Sequence, residues 1–297
     1  MGMEREIKQQ YTAINFTRSY RDILNNPRIT AVAISTPAET HFSLAKEALF
    51  YGKDIFVEKP LALRLKEGKE LLRLTNEKKK ILMVNHLLQY HPAIIKLKDI
   101  INKGKLGDIQ YIYSHRLNIG KFRKEENILW SFAPHDISVI LSLAGKMPIK
   151  VNAFGEAYLQ KNIYDTTITT LVFNDKLKAH IFVNWLHPFK EQKLIVIGVK
   201  NMAVFNDQAK DKLTLFPHKV KWINGIPIAS KALHEPISIN FEEPLKKACK
   251  HFMDCIKKRT PPLTDGKEAL KVLKVLNATQ ISLERNRYED EKKHKKK

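Results

Sequence analysis

ITAVAISTPAETHF (29–42), DIFVEKP (54–60) and ILMVNHL (81–87) are the stretches on which the fold turns. Their runs ITAVAIST (29–36), DIFVEK (54–59) and ILMVNHL are apolar nearly throughout, as strands buried on both faces of a parallel sheet are. The intervening segments are amphipathic, of helical length, and begin near Ala38 and near Leu65. Alternation of short apolar strands with helices is the grammar of β-α-β units, so the chain from Ile29 to about Lys103 predicts a doubly wound α/β fold.

After Gly104 and Gly107 the pattern changes. DIQYIYSHRLNI (108–119), IKVNAFGEAYL (149–159), TTITTLVFN (166–174), KLKAHIFVNWL (176–186) and KLIVIGV (193–199) are longer, several with strict alternation, which predicts an open, mainly antiparallel sheet. One helix, from Pro134 to about Leu143, interrupts it. Two more, at about 243–258 and 266–284, are split by the ThrProPro turn at 260–262. The expected organisation is a partial dinucleotide-type domain over 1–105 and an α+β domain over 106–285, whose last helices are free to pack back on the first. A basic, frayed tail over 286–297 completes it.

At 297 residues and 43% hydrophobic content, two cores are the default. No run reaches the roughly 18 apolar residues of a membrane span, and the opening MGMEREIKQQ is charged; the reading is a soluble, cytoplasmic protein. Cys249 and Cys255 lie on different faces of a helix, which supports neither a disulfide framework nor a metal site. The 52 Lys and Arg against 31 Asp and Glu leave +21. No basic helix or aromatic-interleaved patch stands out, so nucleic acid is not the expected partner.

Five segments occur in order: SerThrProAlaGluThrHis (35–41), PheValGluLysPro (56–60), ValAsnHis (84–86), TrpSerPheAlaProHisAsp (130–136) and ThrProProLeuThrAspGly (260–266). With them the chain from about residue 12 onward resembles the Gfo/Idh/MocA oxidoreductases. The resemblance implies an NAD- or NADP-dependent dehydrogenase with a Rossmann-like first domain and a homo-oligomeric assembly, dimer or tetramer. The runs HisArgLeuAsnIleGlyLysPheArg (115–123) and TrpLeuHisProPheLys (185–190) resemble the branch acting on nucleotide-linked amino sugars. There the usual reaction oxidises the 3-hydroxyl of a UDP-N-acetylhexosamine or its uronate.

Moving a hydride from a sugar carbon requires that the hydroxyl proton leave in step, so a base must reach that oxygen. Lys59 ends a predicted parallel strand, the edge where open α/β sheets place ligands, and the resemblance makes it the residue that binds or polarises the reacting oxygen. His135, a base suited to neutral pH, becomes the acid/base; it is expected in the first turn of the helix opened by Pro134. Taken alone, either residue reads as an ordinary surface side chain. Thr36, Pro37 and His41 sit at a strand-to-helix turn whose amides can face a cofactor. The resemblance adds Glu58 and Asn85 to the cofactor path, and His86, Trp130 and Asp136 to the substrate side. Arg116, Asn118, Arg123 and Lys190 complete the expected substrate contacts, guanidinium forks being suited to phosphate or carboxylate. Where many relatives carry an aspartate four positions before the histidine, this chain has Ser131, and Gln89 and Gln192 stand where relatives often have arginine.

A dinucleotide site normally opens with strand, GxGxxG turn and helix. None of the eleven glycines stands one residue from another. Residues 5–20 resemble the third helix and short strand that normally follow such a unit. The expectation is therefore a chain lacking about 35 to 40 residues of an opening β-α-β unit, with the neighbouring strand's edge exposed. A non-catalytic, sugar-binding or oligomer-forming remnant is the alternative reading.

Overall fold

The computed structural model describes residues 2–120, 122–124, 126–240 and 242–294. The chain opens with α1 (Gly2–Gln10) and α2 (Tyr20–Asn25), then alternates β1 (Ala31–Ile34), α3 (Ala38–Phe50), β2 (Asp54–Val57), α4 (Leu65–Glu77) and β3 (Leu82–Val84). A short 3-10 turn (Leu87–Tyr90) leads into α5 (Pro92–Asn102). Next come β4 (Ile109–Leu117), α6 (Ile128–Ala144), β5 (Lys150–Glu156), β6 (Thr166–Val172), β7 (Lys178–Asn184) and β8 (Glu191–Gly198). The rest comprises β9 (Met202–Asn206), β10 (Leu213–Phe216), β11 (Lys219–Ile223), β12 (Ile226–Ser230), β13 (Glu235–Pro236), α7 (Pro244–Lys258) and α8 (Gly266–His294).

β1, β2 and β3 pair in parallel in that spatial order, Ile34 beside Val57 and Val57 beside Val84. Ala45, Ala48 and Leu49 of α3 and Leu71 and Leu74 of α4 pack on one face, and Ala248, Phe252 and Cys255 of α7 meet Phe56 and Met83 on the other. Burying each such Leu or Val contributes roughly 1.5–3 kcal/mol, which is why strands this short persist. All three strands end with the chain turning outward at their carboxyl ends, presenting Ser35–Pro37, Glu58–Lys59 and Asn85–His86 at one edge of the sheet.

The second sheet has eight strands in the order β13-β10-β9-β8-β4-β7-β6-β5. β4 and β7 run parallel and the other neighbours antiparallel, so the fold is a Rossmann-like layer followed by an α/β unit with a mixed, mostly antiparallel sheet. α5, α6 and α8 cover its inner face. α8 ties the layers together: Ala269 belongs to the core of the first sheet, and Val272, Leu273, Leu276 and Leu283 to that of the second. No helix among the described residues is long and apolar enough to cross a membrane.

Several expectations are corrected. The inserted helix begins at Ile128, where Asn127 caps it by accepting the Trp130 amide, so Pro134 lies inside it and His135 in its second turn. Pro134 removes one amide donor and the helix continues across the gap. α8 runs to His294, through most of the expected frayed tail; residues 295–297 lie outside the described set. No strand forms between α1 and α2; Tyr11, Ile14 and Phe16 are exposed there, and no described strand pairs beside β1's outer edge. The β11–β12 hairpin was not anticipated, although Asn224-Gly225, both at positive φ, is the dipeptide that type I′ turns demand.

Candidate active site

Two clefts open where the carboxyl ends of the first sheet face α6 and the second sheet. The larger, about 730 Å³, is lined by Thr36, Pro37 and His41 on one side and by Glu58, Lys59 and Glu126 on the other. The smaller, about 370 Å³, is lined by His91, Arg116, His135, Gln192, Asp207 and Lys212.

Lys59, projected by the end of β2, donates from Nζ to the Ser131 carbonyl on α6 at 2.6 Å. Desolvation lowers its pKa below the ordinary lysine value, partly offset by Glu126 and Glu58, while Arg123 and Arg116 press the same way as burial. Ser131 serves through its main chain, so the missing side-chain carboxylate costs that bond nothing. His135 lies one position on from Pro134 on the same helix. Its Nδ1 is buried with no partner among the described residues. Burial, then Arg116, Lys59 and His86, hold its pKa well below 6.5. The ring is therefore neutral at physiological pH and able to take up a proton.

Arg116 on β4 is clamped by Asp136: Nε donates to Oδ2 at 2.7 Å and Nη2 to Oδ1 at 3.4 Å, both residues buried. The expected His135–Asp136 pair thus divides, His135 to the smaller cleft and Asp136 to the arginine behind it. His41 faces carbonyls with both ring nitrogens, Nδ1 to Pro60 at 2.7 Å and Nε2 to Thr36 at 2.9 Å. It holds together the loops that carry Thr36 and Lys59. Asn85 Nδ2 donates to Glu58 Oε1 at 2.7 Å, and its Oδ1 is buried without a partner among the described residues.

Of the other expected residues, all but Arg123 fall outside the clefts. His86 is buried with Nδ1 2.6 Å from Glu268 Oε2, and lines neither cleft. Trp130 donates from Nε1 to Gln280 of α8 at 3.1 Å, a contact that docks helix to helix. Asn118 bonds through its amide to Asn184, and Lys190 is exposed. Arg123 lines the larger cleft, with Nε 3.1 Å from Glu126 Oε1.

Residues 3–86 match the family description "Oxidoreductase family, NAD-binding Rossmann fold", and residues 94–204 match "GFO/IDH/MocA C-terminal domain". The chain belongs to the Gfo/Idh/MocA oxidoreductase family. Among relatives, the uncharacterized oxidoreductase YdgJ of Escherichia coli is 28% identical over 160 residues, 50% of this chain and 45% of that protein. The chain thus spans about half the length of that relative. The scyllo-inositol 2-dehydrogenase (NAD(+)) of Bacillus subtilis is 25% identical over 89% of this chain and 78% of its own length. The solved structure of UDP-N-acetylglucosamine 3-dehydrogenase from Acidithiobacillus ferrooxidans has a TM-score of 0.81 at 22% identity, covering 94% of this chain and 86% of that one, a likeness of fold.

For a Gfo/Idh/MocA chain, the larger cleft suits the nicotinamide end of a dinucleotide. The first turn of α3 opens on it at Pro37 and Ala38, whereas Asn85, bonded to Glu58, is buried behind the cleft wall and lines neither cleft. Sequence reasoning missed Glu126, Asp207, Lys212 and His91. The first neighbours Lys59; His91 reaches the smaller cleft as the N-cap of α5, and Asp207 and Lys212 are brought there as β8 pairs with both β4 and β9, setting Gln192 opposite Arg116 and Lys193 opposite Asn206.

Proposed function

We propose that the protein is an NAD- or NADP-dependent dehydrogenase that moves hydride between a hydroxyl-bearing ring carbon of a sugar and nicotinamide. The finer reading is oxidation at C3 of a nucleotide-linked N-acetylhexosamine or its uronate. The observation that carries this is His135: a half-buried imidazole held neutral, its Nδ1 buried without a partner among the described residues, close enough to Lys59 and Arg116 to feel their charge.

Bound nicotinamide supplies a two-electron acceptor in the larger cleft. His135 accepts the proton of the substrate hydroxyl, and the Lys59 ammonium stabilises the negative charge that develops on that oxygen. Glu58, positioned by its bond from Asn85, and the first turn of α3 would hold the cofactor's nicotinamide half. Arg116, fixed by Asp136, orients the ring. General acid–base help of this kind is worth about 10²–10⁴-fold in rate.

Two further readings accompany this one. The open outer face of the second sheet carries Phe154 and Ile168, 62% and 49% exposed, beside the half-buried Tyr111, Tyr113 and Phe182; a second copy of the chain is the occupant we propose for it. Both cysteines are free thiols, in keeping with a cytoplasmic setting. The competing function is a sugar-binding remnant without redox chemistry, favoured by the absence of any Gly-x-Gly in the sequence. The experiment that separates them supplies NAD+ or NADP+ and sugars deuterated at the ring carbons, and seeks deuterium in the reduced cofactor by mass spectrometry. Transfer is expected; none from any sugar with either cofactor overturns the dehydrogenase reading.

A further inference from the structure

The far wall of the smaller cleft is a closed network of charges. Asp207, in the turn after β9, accepts from Gln192 with the amide oriented so that its nitrogen lies 2.8 Å from Oδ2 and its oxygen 3.2 Å from Arg116 Nη1. His91 Nδ1 accepts the Ala93 amide at 3.1 Å, so Nε2 carries the proton and points it at Asp207 Oδ1, 3.4 Å away. Lys212 Nζ bonds to the Asp207 carbonyl and lies 3.9 Å from Oδ1. His91 foremost, then the charges of Lys212 and Lys190, hold the Asp207 carboxyl below its ordinary pKa against the opposing effect of burial. Glu243 accepts the amides of Leu245 and Lys246. The wall sets Arg116 and Lys212 against Asp207, Glu243 and, behind the arginine, Asp136, with Lys190 also near enough to act on Asp207. Three cations thus meet three carboxylates, and no surplus of positive charge remains there among these residues.

We infer that Asp207 is a specificity-determining residue that reserves this cleft for an uncharged polyhydroxylated ring and turns away a ring bearing a carboxylate. The inference rests on the dehydrogenase reading and narrows it, choosing the neutral hexosamine over its uronate. A ring carboxylate entering here leaves water, meets Asp207 and Glu243, and finds Arg116 already paired with Asp136 and Lys212 already beside Asp207. Exclusion by an unpaired, desolvated charge is an effective way to discriminate between substrates of equal size.

The test is isothermal titration of the full chain with UDP-N-acetylglucosamine and with the corresponding uronate, which differ only at C6. The neutral sugar is expected to bind at least roughly tenfold more tightly. Asp207→Asn, which removes the carboxylate charge 3.9 Å from the Lys212 ammonium, should shrink that ratio about tenfold, and Lys212→Gln should widen it. Circular dichroism checks that each variant is folded, and the opposite signs separate selection by charge from general damage. Equal or tighter binding of the uronate by the wild type, or a ratio that neither variant moves, overturns the inference and leaves the dehydrogenase reading standing. Binding of neither sugar overturns the inference together with the nucleotide-linked amino-sugar reading. A chain that discriminates as expected yet transfers no deuterium keeps the charge selector and loses the redox function.

Discussion

His135 is where burial and charge act most directly on chemistry. Its pKa lies well below 6.5 in the folded chain. As pH falls below about 6.5, the unfolded chain takes up a proton that the folded site refuses. Stability is therefore full above that pH and falls as acid is added, by up to about 1.4 kcal/mol per pH unit. Denaturant melts between pH 7.5 and 5 should show this slope, and His135→Gln should flatten it. For the same reason the acid limb of the oxidation rate should lie below pH 6.5. Asp136 makes a different prediction: Asp136→Ala leaves Arg116 as a buried charge without its partner and should cost about 3–5 kcal/mol, read as a lowered denaturation midpoint. Lys59 and His135 were legible from their motifs. Asp207, Lys212 and Glu126 were not, because a charged residue in a turn looks the same whether it faces solvent or a cleft made by strands far away in sequence.

Among the elements, the parallel strands and the helices after them were legible because apolar runs and amphipathic stretches alternate. Boundaries were not. Pro134 is a strong start signal, but the Asn127 side chain accepting the Trp130 amide outweighs it, and a helix carried by packing of Ile128, Leu129 and Ala133 tolerates one lost backbone bond. β9 and β10 went unread since each is only four or five residues long and gains stability from neighbours rather than from its own pattern. One junction is tight enough to test. At the end of β8, a Cβ on Gly198 meets the Leu106 carbonyl oxygen at 2.2 Å. Gly198→Ala must therefore displace the loop after α5, at a cost of about 1–3 kcal/mol. Gly104, at positive φ with open space around it, should cost about 1–2 kcal/mol as alanine through backbone strain alone; paired thermal melts compare the two.

At the scale of the whole molecule, α8 spans both layers and the two clefts exist only because it holds the layers together. The outer face of the eight-stranded sheet carries no covering layer among the described residues. If a second copy covers it, light scattering at micromolar concentration reports a dimer or larger, and Phe154→Asp with Ile168→Asp, both at exposed positions, yields a folded monomer. A wild-type monomer contradicts that assembly. The most direct test of the central claim, that Lys59 and His135 together handle the proton of the substrate hydroxyl, is the rate of reduced-cofactor formation by the wild type, Lys59→Met and His135→Asn at saturating sugar and cofactor. The account predicts losses of about 10²–10⁴-fold in kcat for each single variant, and a double variant hardly slower than the worse of the two, as for residues that act as a unit. Single variants that turn over at the wild-type rate contradict it.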